Sequence, residues 1–387
     1  MILTINGGSS GIKFALYDTE PIIRKKLSGE ISRIGLPGAA FTLNDGNEKV
    51  PHQITSYGSA ISSLTRWLKA KNYVDEHTSI GHRVVHGGQH SEPCRITDEF
   101  LQSLKSILPY DPDHLPNEIK LIKAFRDKFA GARQFACFDT AFHQTMPRIA
   151  RLLPIPRRFS DRGIQRYGFH GLSYQYLMQE LIADVGAIAA KSRVILCHLG
   201  SGASLAAVYQ GKSVDTSMGF TPAGGVPMST RTGDLDPGVA WVMMKNEKLS
   251  PKQFNRLINR ESGLLGISET SGDMSDLLSI EAKDARAAEA VDLFCYQVKK
   301  WIGSFAAVLG GVDYLVFAGG IGENAPGIRA KICDGLKFLG IKLDETRNTE
   351  NAAFISANEG AVTIRVMHTD EELMIAKTVL QLTDKKM

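Results

Sequence analysis

The feature that most constrains this fold is a unit that occurs twice. Ile2 to Ile5 reads as a strand, Asn6-Gly7-Gly8-Ser9-Ser10-Gly11 as a tight turn and Ile12 to Tyr17 as a returning strand. Half a chain later the order recurs. Val194 to His198 is followed by Leu199-Gly200-Ser201-Gly202-Ala203 and then by Ser204 to Tyr209. Short Gly/Ser turns also recur by chance, so the repeat leaves duplication and coincidence both open. Duplication predicts two similar α/β domains with a cleft between the halves.

The rest of the chain fits alternating strands and helices. Ile61, Leu64, Trp67 and Leu68 predict a helix over 57–71, and Ile119, Ile122 and Phe125 predict one over 116–129. Short buried strands are expected at 80–85 and 134–139. A long Ala/Val-rich helix over 283–309 should lead into the strand 314–318 and then a Gly-rich turn, Gly319 to Asn324. A final helix over 370–382 should start at Thr369 as its cap. Strands alternating with helices over 387 residues imply an α/β protein of two domains.

Charge and cysteine usage narrow the function classes. The 45 basic and 41 acidic residues include no dense Lys/Arg block, which argues against a nucleic-acid partner. Five scattered cysteines without a CxxC pair suit reduced thiols, not a disulfide framework or a zinc site. No apolar run is long enough for export or for a membrane span, so a cytoplasmic protein is expected.

Three Gly-rich turns follow predicted strands: Asn6 to Gly11, Leu199 to Ala203 and Gly319 to Asn324. Glycine lets the backbone approach a phosphate closely, and successive N–H groups form an anion-binding concavity. None has the Walker A spacing. One such turn is more often only a turn, but three of them, each after a strand, point to phosphate binding. Arg83 in GHRVVHGG and Arg231 in MSTRTGDLDPG are cations in turn-rich settings, suited to carboxylate or phosphate. The competing reading pairs each with a nearby acid, such as Asp234 for Arg231. Asp139 ends a predicted strand, where α/β folds place ligands, and His170 lies in a Gly-flanked turn. A turn-capping acid and a buried structural histidine are the ordinary alternatives for these two.

Taken together, INGGSSGIKFALYD, GHRVVHGG, FDTAFHQTMP, RYGFHGLSY, CHLGSGASLAAV, MSTRTGDLDPG, FAGGIGENAPGIR and HTDEELMIA resemble the acetate kinase family, with its propionate and butyrate kinase relatives. The resemblance implies a duplicated two-domain actin-like ATPase fold. Residues 1–145 plus 371–387 would form the first domain, and 146–370 the second, nucleotide-binding one. It implies a homodimer that uses ATP and Mg²⁺ to phosphorylate a short-chain fatty acid, acetate first, reversibly and by in-line attack. Propionate or another short acid is the alternative substrate. A nucleotide-binding regulatory homologue with little turnover is the alternative function.

Carried across by motif, Asn6 and Glu371 would hold Mg²⁺, largely through water. Ser9, Ser10 and Lys13 would lie in the first phosphate loop, and His198 to Ser204, with Gly200, Ser201 and Gly202, in the second. Arg83 and Arg231 would grip the carboxylate and the moving phosphoryl group, His170 would stabilise its charge, and Asp139 would orient the reacting groups. Asp273, Gly319, Gly320, Ile321 and Asn324 would face the adenosine, while Val85, His114 and Pro222 would border the acid. A carboxylate is already nucleophilic, so the task is to overcome repulsion between two anions. Loss of either arginine is expected to leave the fold intact and abolish turnover.

Several positions depart from the family pattern. Ser201 stands where an Asn is usual, Ser229 where a Gly is usual, and Asp113 precedes His114 in place of an apolar residue. Met274 and Ser275 replace a Phe-Arg pair beside the nucleotide, and Gly11 stands where a third Ser is common. These changes leave the favoured acid and phosphoryl donor open.

Overall fold

The computed structural model describes residues 1–384 except Ser9, residues 45–47 and His52. The chain divides into two compact units, Met1–Ala141 with Asp370–Met387, and Phe142–Thr369.

The first unit opens with the strands β1 (Ile2–Gly7), β2 (Ile12–Asp18), β3 (Arg24–Ser32), β4 (Ala40–Leu43) and β5 (Glu48–Lys49). Helix α1 (Tyr57–Ala70), β6 (Ser79–Val84), β7 (Cys94–Arg95), α2 (Asp98–Ser106), α3 (Leu115–Lys128) and β8 (Arg133–Phe138) follow. The sheet order is β5-β4-β3-β2-β1-β6-β8-β7. Every residue of β1 is buried, as expected of an inner strand covered on both faces. Helix α1 starts with a capping box in which Ser56 and Ser59 satisfy each other's backbone N–H groups. Its buried Trp67 meets Phe14 and Phe41 edge-on, at ring distances of 5.8 and 5.4 Å.

A C-terminal helix (Glu371–Asp384) packs on this sheet. Gly81 permits the close approach: a Cβ there would lie 2.5 Å from Ile375 and 2.8 Å from Val379. The expected cap, Thr369, is corrected. Asp370 Oδ1 accepts the Leu373 N–H at 2.8 Å, whereas the Thr369 hydroxyl bonds Ser173. A carboxylate both accepts more strongly and suits the positive end of the helix dipole.

The second unit begins with short turns α4 (Arg148–Arg151) and α5 (Arg157–Ser160), then α6 (Gly171–Val185). Strands β9 (Arg193–Leu199), β10 (Ala203–Tyr209) and β11 (Lys212–Thr216) form a meander. Helices α7 (Pro237–Asn246), α8 (Pro251–Arg260), α9 (Gly263–Ser268), α10 (Met274–Ile280) and α11 (Ala285–Leu309) come next. The chain returns through β12 (Tyr314–Ala318), α12 (Gly319–Asn324), α13 (Pro326–Cys333), α14 (Glu345–Thr349) and β13 (Thr363–Val366). Gly319 to Asn324 is therefore a short helix, correcting the expected turn.

The duplication is explicit in the two sheets. The second has the order β11-β10-β9-β12-β13, with two antiparallel pairs followed by two parallel ones. Within the first sheet, β3-β2-β1-β6-β8 has the same order and the same sense at every pair.

Candidate active site

The predicted residues fall into one set per unit. In the first, β1, β6 and β8 are adjacent and parallel, so their carboxyl ends lie side by side, the usual place for ligands in α/β sheets. Asn6 lies on β1 opposite Lys13 of β2. Its amide donates to Glu371 Oε2 at 3.0 Å and to Glu372 Oε1 at 2.9 Å. Its carbonyl oxygen accepts from Arg83 Nη1 at 3.1 Å. Arg83, on β6, also makes a bidentate pair with Asp139, Nε to Oδ1 at 2.9 Å and Nη2 to Oδ2 at 2.6 Å. Burial opposes the Arg83 cation, but Asp139 and then Glu371 outweigh it and raise its pKa above the ordinary arginine value. Because Asp139 is fully buried, removing Arg83 would strand a carboxylate. The expectation that Arg83 can be lost without effect on the fold is therefore revised.

Val85, at the end of β6, is buried, and its N–H donates to Glu118 Oε1 at 3.1 Å. Burial, and next the Asp111 carboxylate, raise the Glu118 pKa well above 4.5. His114 begins α3, with Nδ1 2.8 Å from Asp111 Oδ1. Ser10 and Lys13 are exposed beside this loop, and Ser9 lies outside the described residues.

The donor set suits Mg²⁺. Glu371 and Glu372 share one amide, and burial, then repulsion from Glu371, raise the Glu372 pKa, which a divalent cation would relieve. Among the described residues no cluster of three or more His, Cys, Asp or Glu could cage a metal. Mg²⁺ bound through one or two carboxylates keeps most of its water and needs no such cage.

In the second unit His170 precedes α6 with φ +58°, a left-handed conformation that costs about 1–3 kcal/mol for a non-glycine residue. Ser204 Oγ lies 2.8 Å from His170 Nδ1 and 2.5 Å from the Tyr174 hydroxyl, fixing the ring. The His198 ring is 4.3 Å away, with its own Nδ1 2.8 Å from Ser173 Oγ. The second Gly-rich loop closes through Gly200 N–H to Gly202 O at 3.1 Å. A Cβ on Gly202 would lie 3.2 Å from His170 Nε2 and 3.8 Å from Arg231 Nη1. These two groups thus flank the loop. Arg231 Nη1 donates to the carbonyl of the buried Pro222 at 3.2 Å, and Ser229 N–H donates to Ser201 O at 3.2 Å. Asp234 accepts from Gly225 N–H at 2.9 Å, which holds the Arg231 loop.

A cavity of about 340 Å³ opens next to this loop, within the size range of small-molecule sites. Gly200, Ser201, Asp273, Gly320, Ile321 and Asn324 line it, joined by Met274 and Ser275. Three segments distant in sequence thus converge as predicted residues on one cavity. Gly319 stands beside it, its N–H held by Glu323 Oε1 at 2.9 Å. Asp273 also caps α10, accepting from Ser275 N–H at 2.8 Å. A larger cavity of about 970 Å³, lined by residues such as Tyr296, Lys299 and Lys331, contains none of the predicted residues.

Sequence reasoning gave no role to Glu118, Ser173 or Glu372, and placed Ser204 only at the end of the second phosphate loop. Only Glu372 carried a local signal, as the third acid of HTDEELMIA. The others matter through partners far away in the chain.

Two units of one topology, each with a Gly-rich hairpin turn at a strand end, define an enzyme of the actin-like ATPase fold that handles phosphate. Residues 1–377 match the model of the acetokinase family, and the chain belongs to that family. It is 41% identical over 389 residues to a propionate kinase of Citrobacter rodentium, covering 98% of this chain and 96% of that one. It is 38% identical over 400 residues to an acetate kinase of Methylocella silvestris, covering 99% and 98%. Among solved structures, an acetate kinase of Porphyromonas gingivalis is similar at TM-score 0.87 and 36% identity, covering 99% of each chain. A propionate kinase of Francisella tularensis gives TM-score 0.90 at 35% identity, covering 97% and 98%.

Proposed function

We propose that this protein transfers the terminal phosphoryl group of ATP to the carboxylate of a short-chain fatty acid, reversibly and with Mg²⁺. Acetate is the first choice and propionate the alternative. The observation that carries the reading is that His170 and Arg231 flank Gly202 in the loop that also lines the 340 Å³ cavity. A nucleoside in that cavity, against Asp273, Gly320, Ile321 and Asn324, would direct its phosphates along backbone N–H groups toward a cation and an imidazole.

Arg231 would then stabilise charge on the phosphoryl group in flight, and His170, oriented by Ser204, would donate a hydrogen bond to it. Lys13, Ser9 and Ser10 would meet phosphate from the other Gly-rich turn. Arg83, kept protonated by Asp139, would hold the acid's carboxylate, with Val85, His114 and Pro222 around its tail. Mg²⁺, held through Asn6 and Glu371 largely by water, would supply neutralising charge. No general base is needed because the acceptor is already an anion. The domains proposed for this chemistry are 1–145 with 371–387, and 146–370.

A homodimer is part of this reading. Helices α7 and α8 bury no residue, and α7 exposes Val239, Trp241 and Val242, a face suited to a second copy. Among the described residues no helix is long and apolar enough to cross a membrane, and a cytoplasmic location is proposed.

A second reading, a nucleotide-binding regulator with little turnover, is favoured by Ser201, Met274 and Ser275 on the cavity wall in place of the family's Asn, Phe and Arg. An acyl-hydroxamate assay with ATP, Mg²⁺ and acetate, propionate or butyrate separates the two. Hydroxamate formed with a short acid is the expected result. Nucleotide binding without product from any acid would replace the kinase by the regulator.

A further inference from the structure

A second polar cavity, of about 530 Å³, lies in the first unit among β7, α2, α3 and the start of β8. Its walls carry five cations, Arg95, Lys105, Lys123, Arg126 and Arg133, against two carboxylates, Asp98 and Asp127. Part of this charge is already matched: Arg126 pairs with Asp98 at 2.7 Å. Lys105 meets only the neutral Gln102, at 3.3 Å. The side chains of Arg95, Lys123 and Arg133 have no hydrogen-bond or ion-pair partner among the described residues. The floor, by contrast, is buried and hydrogen-bonded. Ile96 donates its N–H to the Gln134 carbonyl at 2.8 Å, and Gln134 Oε1 is 2.8 Å from His82 Nε2.

Cations gathered from two helices and two strands around one concavity repel one another, and low-dielectric walls focus their field. A scattered basic surface would spread this charge, whereas here it surrounds a space large enough for a compact ligand. Guanidinium groups from β7 and β8 suit phosphate oxygens bidentately, and two lysines add point charge. The small apolar floor offers little to a lipid or an aromatic ring. We propose that this cavity binds a condensed phosphate, either free or carried by a nucleotide, at a site separate from the 340 Å³ cavity. The inference does not depend on the kinase reading, since none of these residues belongs to the proposed catalytic set.

Lysine acetylation of the full chain, read by mass spectrometry with and without inorganic pyrophosphate, tests it site by site. Lys105 and Lys123 should be protected at least about fivefold, while Lys69, on the exposed end of α1, should not. A second arm with ADP identifies the source. Protection by both ligands marks any condensed phosphate, and protection by ADP alone marks a nucleotide. Calorimetry of the Arg95→Gln/Lys123→Gln/Arg133→Gln variant should show one fewer pyrophosphate site, or at least tenfold weaker binding there, with turnover unchanged. Equal acetylation of Lys105 and Lys123 with and without either ligand would overturn the proposal. So would unaltered stoichiometry and affinity in the folded variant.

Discussion

The Arg83 guanidinium and the Asp139 carboxylate lie fork to fork at the ends of two neighbouring parallel strands, with the carboxylate fully buried. Taking away the cation leaves an uncompensated buried charge, which costs about 3–5 kcal/mol. Arg83→Ala should therefore lower stability by that amount in denaturant melts and reduce turnover by about 10³-fold or more. The Arg83→Met/Asp139→Asn double variant leaves no buried charge behind and should recover most of the stability while staying inactive. Near wild-type turnover in the double variant would remove Arg83 from the mechanism.

Gly202 has an ordinary backbone conformation, so an added methyl group acts only through its neighbours. At 3.2 Å from His170 Nε2 it would press the imidazole aside by a few tenths of an ångström, while meeting Arg231 Nη1 at an ordinary contact distance of 3.8 Å. Gly202→Ala should lower kcat at least about tenfold with little change in thermal midpoint. Unchanged kcat would show that the His170 imidazole does not need its present place.

Ser204 bridges His170 and Tyr174 without facing solvent. Ser204→Ala should free the imidazole and reduce kcat about 10- to 100-fold, leaving the nucleotide KM close to wild type. A change confined to KM would assign Ser204 to nucleotide binding instead.

Two of the buried histidines, His82 and His143, are held neutral by their surroundings. Burial lowers both His82 and His143 to about 4, against only partial opposition from Gln134 and from the Phe169 carbonyl respectively. A depressed histidine gives stability that is present above 6.5 and is lost as pH falls toward 4, because only the unfolded chain takes up the proton. Each represents about 3 kcal/mol over that window. Stability should thus fall steeply between pH 6.5 and 4, and His143→Asn should flatten the slope. An equally steep slope in the variant would exclude His143 as a source.

Glu118 has the opposite sign. Its raised pKa means that the stability contribution is complete below 4.5 and is lost as pH rises, since the unfolded chain ionises first. Glu118→Gln keeps an acceptor for Val85 N–H and removes this loss. Its thermal midpoint should gain on wild type as pH increases from 4.5 toward 8. A constant difference across that range would show that Glu118 ionises normally in the fold.

Trp241 is 67% exposed on α7. In the proposed dimer it is covered, so Trp241→Glu should convert a dimer to monomer in analytical ultracentrifugation. A wild-type monomer, or an unaffected dimer, would move the interface elsewhere.

Short-range chemistry was legible before any coordinates. The Gly/Ser turn between two apolar runs could only be a hairpin, and helical spacing located α1, α3 and α11 within one or two residues. Where competing local signals were balanced, reading failed. Gly319 to Asn324 looks like a turn, yet it winds into a helix, with Asn324 bonded back to the Gly320 carbonyl at 3.0 Å. Thr369 looks like a cap, yet the adjacent Asp370 is the stronger acceptor.

By itself, the sequence determined an α/β protein with three Gly-rich segments, and its motif blocks carry the charges of an acetokinase; the duplication became explicit only in the strand order of the two sheets. Turn preference and hydrophobic period act over a few residues and survive in one dimension. Tertiary structure alone decided who partners whom: Asn6 with Glu371 and Glu372, Arg83 with Asp139, His170 with Ser204, Val85 with Glu118. Those pairings follow from strand register and from which faces are buried. Both are settled by packing between segments that lie up to 366 positions apart in the chain.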